Sequence, residues 1–204
     1  MRTEIPAALR NSVHIPELTA EMIQLRSEDA GRAVGTIDGQ IVTKLLDVEP
    51  KVVDGAAVPD LDRDLLKLVC VERHRATGNV GVGYVNGFGL QRGALATSIA
   101  HDAHNIVAVG TNDDDILAAI QAVAASQGGL AAVAGGQVLA HLALPVAGIL
   151  SDQSLEVTAA GYERMEATAR ELGSTLHSPF GLLAFMALSV IPEARVTDQG
   201  FIVI

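Results

Sequence analysis

Tryptophan is absent from this chain, and phenylalanine and tyrosine are so few that aromatics make up 3% of the residues. Basic residues are scarce too, 14 Lys and Arg against 24 Asp and Glu, for a formal net charge of −10. A nucleic-acid surface needs basic stripes and stacking platforms, so no nucleic-acid partner is expected. There is a single cysteine, Cys70. It can form no intramolecular disulfide, and its place inside an apolar run reads as a buried thiol in a reducing, cytoplasmic compartment. The opening MRTEIPAALRNSVHIPEL lacks an apolar h-region, so no secretory signal is expected.

Charge also disappears locally. From Ile116 to Ser151 there is no Asp, Glu, Lys or Arg. A membrane span needs about 20 consecutive apolar residues. Here Gln121, Ser126-Gln127-Gly128-Gly129, Gly135-Gly136-Gln137, His141 and Pro145 interrupt the run at turn-like intervals. Buried strands and a buried helix face are expected, and no membrane partner. With 49% hydrophobic residues over 204 positions, the chain can build a sizeable core in one domain, or in one domain with an arm.

Residues 1–60 read as a β-rich N-terminal arm. Arg32–Asp38, Gln40–Leu46 and Lys51–Val58 are short strand-like runs, and Asp54-Gly55 predicts a hairpin. Residues 61–204 read as an α/β domain. Leu65–Val71 predicts a strand that places Glu72 and His74 on one face at its end, either as a solvated strand end or as a carboxylate–imidazole pair for proton transfer. Ile106–Gly110 feeds a helix capped by Thr111, with Asp113, Asp114 and Asp115 in the first turn, where the dipole favours them. Leu130–Ala134 follows as a strand, so a βαβ crossover and a parallel pair are expected. Gly135-Gly136 predicts a hairpin into Gln137–Leu142. Ser154 caps a second long helix, Ser178-Pro179 opens a third over Phe180–Leu188, and Ala194–Val196 with Phe201–Ile204 close the chain as strands. The fold expected is α/β, a mixed and largely antiparallel sheet covered by about three helices.

The stretch Glu72–Thr111 carries most of the polar chemistry. Asn79–Val85 and Gly93–Ala100 read as strands flanking a hairpin turn at Asn86-Gly87. Gly81 and Gly83 leave one face of the first strand bare, as Ala94, Ala96, Ser98 and Ala100 do in the second. Such a face admits a packed helix or serves as the floor of a ligand site. His101-Asp102-Ala103-His104-Asn105 then sits between two apolar strands. A turn there would bring His101, His104 and Asn105 together, whereas a straight strand would part the two histidines. Buried polar groups of this kind require partners, so a hydrogen-bonding or catalytic site is expected.

The runs ERH, TGN, GFGLQRGALATSIAHDAHN and VGTND, with Leu144–Gly148, Ser178-Pro179-Phe180, Val190–Glu193, Thr197-Asp198-Gln199-Gly200 and the opening Asn11–Pro16, resemble the C-terminal domain of microbial adenine deaminases. Those enzymes are similar to amidohydrolases, whose metal centre sits in an α/β barrel and begins with a HxH pair. No HxH occurs in this sequence. The resemblance therefore implies conversion of adenine and water to hypoxanthine and ammonia by a barrel outside this chain, with a manganese or iron centre whose ligands belong to that barrel. A metal-bound hydroxide attacks C6 there, and a carboxylate or imidazole carries protons to the departing amine. On this reading Glu72, His74, His101, Asp102, His104 and Asn105 line the active site. The partners implied are adenine or a related purine, the amidohydrolase barrel, and further copies of the chain. The alternative is a free-standing purine-binding or oligomerisation module without catalysis, which a native start at Met1 would favour.

Overall fold

A computed structural model describes residues 4–204. Met1, on which the free-standing alternative turns, lies outside the described residues. The strands are β1 (Leu25–Arg26), β2 (Arg32–Gly35), β3 (Lys44–Asp47), β4 (Lys51–Val53), β5 (Ala56–Val58), β6 (Leu65–Val71), β7 (Val80–Asn86), β8 (Ala94–Thr97), β9 (Ile106–Gly110), β10 (Gly129–Ala134), β11 (Gln137–Ala143), β12 (Ala194–Thr197) and β13 (Gly200–Val203). The α-helices are α1 (Ala7–Arg10), α2 (Asp113–Ala125), α3 (Leu155–Glu171) and α4 (Pro179–Leu183).

Eight strands form the main sheet in the order β11-β10-β8-β9-β6-β7-β2-β3. Only the β2–β7 pair is parallel. The mixed, largely antiparallel sheet expected from sequence is therefore present. Period-two alternation divides its side chains between two cores. Val69, Val71, Ala94, Ala96, Ile106 and Ala108 pack under α2 through Ile116, Ala119, Ile120 and Val123. Leu66, Leu68, Cys70, Leu95, Val107 and Val109 face the opposite layer, where α3, α4 and β12 supply Met165, Ala169, Phe180, Leu183 and Val196. With both faces covered, every residue of β6 is buried. A smaller sheet, β1-β5-β4, covers Leu25, Ala33, Ala57 and Tyr84. No helix among the described residues is long and apolar enough to cross a membrane.

Local expectations divide according to what packs on them. The Asp54-Gly55 and Gly135-Gly136 hairpins form as β4–β5 and β10–β11. Ser154 caps α3, its hydroxyl accepting from the Val157 N–H at 3.4 Å. Asn86-Gly87, by contrast, makes no hairpin, because β7 pairs with β6 and β2 whereas β8 pairs with β9 and β10. Instead, Asp64 carboxylate oxygens accept from the Gly87 and Gly89 N–H groups, each at 2.9 Å, and turn the chain away. Asn112 rather than Thr111 caps α2, taking the Asp115 N–H at 2.8 Å, while the Thr111 hydroxyl turns back to the Gly93 carbonyl. Strands β9 and β10 run parallel but do not touch, since β8 lies between them. The third long helix stops at Leu183, and turns carry the chain onward to β12.

The bare face of β7 is no ligand floor. A Cβ at Gly81 would collide with the Thr197 carbonyl, and one at Gly83 would lie 2.8 Å from Val196 Cγ2. The β12–β13 hairpin fills that space with backbone and side chain. On β8, Ala94 and Ala96 are covered by α2.

Candidate functional site

Pairing of β8 with β9 in antiparallel register, Thr97 opposite Val107, makes residues 98–105 a connecting loop at the end of the sheet. At its root, the Ser98 hydroxyl donates to the Gly148 carbonyl at 2.5 Å and accepts from the Gly129 N–H at 2.7 Å. Beyond it the loop is fastened by backbone bonds, His101 N–H to the Ala184 carbonyl at 2.8 Å and His104 N–H to the Ala100 carbonyl at 2.6 Å. His104 adopts φ +52°, a left-handed turn that returns the chain into β9.

Two residues just after β6 hold the loop from outside. Arg73 is only 2% exposed. Its guanidinium donates to three carbonyls from three segments: His104, Ser12 at 3.0 Å and Ala147 at 3.0 Å. Gly148 leaves the room, since a Cβ there would lie 2.5 Å from Arg73 Nη1. Burial lowers the pKa of Arg73, with Glu72 opposing. His74 Nε2 contacts the Ala103 carbonyl at 2.7 Å, which assigns the proton to that nitrogen.

The Glu72 carboxylate meets backbone and the Thr77 hydroxyl rather than the His74 ring. The Glu72 carboxylate accepts from the N–H groups of His74 (2.5 Å), Arg75 (3.0 Å) and Thr77 (3.2 Å), and from the Thr77 hydroxyl (3.1 Å). Burial alone would raise its pKa, but these donors outweigh it and hold the carboxyl below its ordinary value. Glu72 organises a turn, and His74 reaches the loop without it.

The loop does bring His101 and His104 together, with ring centroids 5.4 Å apart in an edge-on arrangement. His101 also packs on Phe185, at 4.7 Å. His104 Nδ1 accepts from the Ala100 N–H at 3.3 Å. Its pKa is lowered by burial first, then by His101 and Arg73, against the pull of Asp102, so the neutral imidazole is favoured.

Asn105 faces the other way. Its amide donates to Asp198 Oδ1 at 3.2 Å, and its Oδ1 is buried without a partner. Asp102, Asn105 and Asp198 line a cleft of ≈ 600 Å³ with Cys70 at its base. Burial pushes the Cys70 thiol up to about 12, helped by Asp198. It is therefore a protonated core thiol rather than a nucleophile.

Sequence reasoning did not single out Arg73 or Asp198 as site residues. Asp198 stands in one of the motifs that carry the family resemblance. Arg73, between Glu72 and His74, reads in sequence as one half of an exposed ion pair, and only the fold reveals its burial. As for metal, no group of three or more His, Cys, Asp or Glu able to hold an ion occurs among the described residues. With His104 Nδ1 engaged by backbone and Asn105 turned to Asp198, these residues do not fit a resident manganese or iron.

Fold and loop together define an accessory α/β domain: an open sheet that presents a fastened polar loop, with no barrel among the described residues. Comparison with known proteins places it more closely. The family described as "Adenine deaminase C-terminal domain" matches residues 40–204. Proteins named adenine deaminase are similar over almost the whole chain. One from Dehalococcoides mccartyi is 43% identical over 202 residues, which is 98% of this chain and 35% of that protein. Another from Desulfatibacillum aliphaticivorans is 48% identical over 171 residues, 84% of this chain and 30% of that protein. The Brucella abortus protein is 41% identical over 194 residues, 95% and 33%. This chain belongs to the adenine deaminase C-terminal domain family, and it spans about a third of the length of those relatives.

Proposed function

We propose that this domain forms part of the wall of the base pocket in an enzyme that converts adenine and water to hypoxanthine and ammonia. In this reading an amidohydrolase barrel, in line with the domain or beside it, carries the manganese or iron centre. The present residues shape and close the site. The observation that supports it most is the fastening of loop 98–105 by Arg73 and His74, which fixes a polar turn at the sheet's end where a second domain can meet it. Catalytic groups need positions held to fractions of an ångström, and residues locked by surrounding bonds supply that.

Within the loop the roles separate. Asp102 is exposed and lines the cleft, where its carboxylate can accept a donor of the base. His104, favoured neutral with Nδ1 taken by the Ala100 N–H, is left with Nε2–H as a hydrogen-bond donor. His101 and Asn105 shape the flanks, and Glu72 and His74 hold the turns that support them. The enzyme is cytoplasmic in this reading. Copies of the chain associate, since Leu150, Leu155 and Val157 are exposed at 58%, 79% and 56% and want covering.

The test is to incubate the purified chain with adenine and manganese or iron(II) and follow ammonia. No turnover at an enzyme-like rate is expected without the barrel. A rate near the typical enzyme median of about 10 per second would overturn the division of labour.

A further inference from the structure

Arg73 and His74 reach the loop from the end of β6, but its last residue is also held by a segment far away in sequence. Asn105 is 4% exposed, and its amide donates to Asp198 Oδ1 at 3.2 Å. The carbonyl end of that amide is buried without a partner, so which way the amide turns depends on Asp198. Asp198 sits in the turn between β12 and β13, 93 residues further on. Its other oxygen, Oδ2, accepts from Gln199 Nε2 at 2.7 Å and from Asn79 Nδ2 at 3.5 Å. Among the described residues it forms no salt bridge. The carboxylate is therefore spent on amides, through charge-assisted bonds roughly twice as strong as neutral ones. Three stretches meet on it: the entry to β7, the exit of the loop, and the closing hairpin.

The bare face of β7 sets where Asp198 stands. A Cβ at Gly81 would collide with the Thr197 carbonyl and lie 2.7 Å from the Gly200 nitrogen. The turn 197–200 thus rests directly on the strand's backbone, an approach that glycine alone allows. Inside the turn, the Thr197 hydroxyl accepts from the Gln199 N–H at 3.1 Å. Gly81 in this way serves the loop at a distance. It lets the hairpin settle close enough for Asp198 to reach Asn105.

We propose that Asp198 is a positioning residue, which through Asn105 fixes where the loop rejoins β9 and so where Asp102 and His104 stand. This rests on the reading of the loop as pocket wall, and adds a holder that comes from the C-terminal hairpin. A bond that only stabilised the fold would leave the loop's own opening untouched. A positioning bond must break each time the loop opens, and its loss shows there first.

The experiment is hydrogen exchange by NMR on the whole chain, read before the buried β6 amides exchange, so that only local opening counts. Two reporters lie in the loop: the Ala100 N–H, taken by His104 Nδ1, and the His104 N–H, taken by the Ala100 carbonyl. Asp198→Ala is expected to quicken both by about tenfold, the size of one hydrogen bond to a charged group. Asp198→Asn keeps an acceptor for Asn105, and the exposed amides of Asn79 and Gln199 can turn over to suit it. Its rates should return close to wild type. Gln199→Ala, which leaves the Asn105 bond alone, should change neither rate. Gly81→Ala alters nothing in the loop, yet should quicken the same two amides by lifting the hairpin. Unchanged loop rates in Asp198→Ala, even with a lowered thermal midpoint, would overturn the proposal. So would an Asp198→Asn chain as fast as Asp198→Ala. Adenine added to chains carrying 13C-labelled His separates this failure from that of the broader reading. His104 ring signals moved alike in wild type and Asp198→Ala keep the loop as pocket wall and remove Asp198 as its positioner. Ring signals that ignore adenine in the wild type, with exchange still quickened in Asp198→Ala, keep the positioner and remove the base.

Discussion

Two arginines are buried in this domain, and neither forms a salt bridge with a carboxylate among the described residues. Arg73 joins three distant segments through the carbonyls of Ser12, His104 and Ala147. Arg195, wholly buried, meets Thr43 Oγ1, the Ala194 carbonyl and the Ile41 carbonyl at 2.7 Å, while its Nε is left without a partner. The first stands behind the polar loop, and the second behind Ile41. Burying a guanidinium is costly, and carbonyls return that cost only when every N–H finds one. Each nitrogen of Arg73 finds a carbonyl, whereas the Nε of Arg195 finds none although its two terminal nitrogens meet four acceptors. The difference is one of redundancy. Thr43 Oγ1 also donates to the Ala194 carbonyl at 2.8 Å and accepts from the Ala194 N–H at 3.3 Å, so that junction survives without the arginine. Among the described residues nothing duplicates the bonds of Arg73 to Ser12 and Ala147.

The comparison breaks most visibly on removing each charge. Arg73→Met deprives three carbonyls of their donor, each worth about 1–3 kcal/mol when buried, against recovery of the guanidinium's own desolvation. A net loss of about 3 kcal/mol is expected from urea midpoints. Arg73→Lys should recover little, since an ammonium cannot span the fork. Arg195→Met strands chiefly the Ile41 carbonyl and also removes an unpaired Nε–H, so a loss of about 1 kcal/mol is expected. Equal losses, or the reverse order, would show that redundancy at Thr43 does not matter.

Much of the frame was legible beforehand because period-two patterns report burial directly. Leu65–Val71 reads as a strand and is one, and Asp54-Gly55 and Gly135-Gly136 turn where their sequence says. What failed did so through partners distant in sequence. Asn86-Gly87 has hairpin chemistry, yet Asp64 captures the N–H groups of Gly87 and Gly89. The bare face at Gly81 and Gly83 signals close approach correctly, but the visitor is the chain's own C-terminal hairpin. In the loop, the expected convergence of His101 and His104 depends on a turn, and the turn forms. Asn105 leaves the pair because Asp198, 93 residues later, draws its amide away. Arg73 carried no local signal at all, since nothing in ERHR distinguishes a buried guanidinium from an exposed one.

The smallest expected effect lies in the pH response of His104, and it ties the loop to Arg73 alone. Burial depresses this imidazole's pKa most, followed by His101 and the Arg73 guanidinium, with His74 adding and Asp102 opposing. Protonation at Nδ1 would also evict the Ala100 N–H that it accepts. In the unfolded chain the imidazole takes a proton near about pH 6.5. The folded form takes it at lower pH, so between those points the unfolded state binds more protons. Stability contributed by neutral His104 is thus complete above about pH 6.5, declines as pH falls through that value, and levels off below the folded pKa. Arg195 is shifted by burial alone and has no such link. Following the His104 Cε1–H signal from pH 8 to 5 should give a midpoint below about 6.5 in the native chain. The midpoint should rise in Arg73→Met and stay in place in Arg195→Met. An imidazole that titrates at or above its free value, or one indifferent to Arg73, would sever the loop from its clamp.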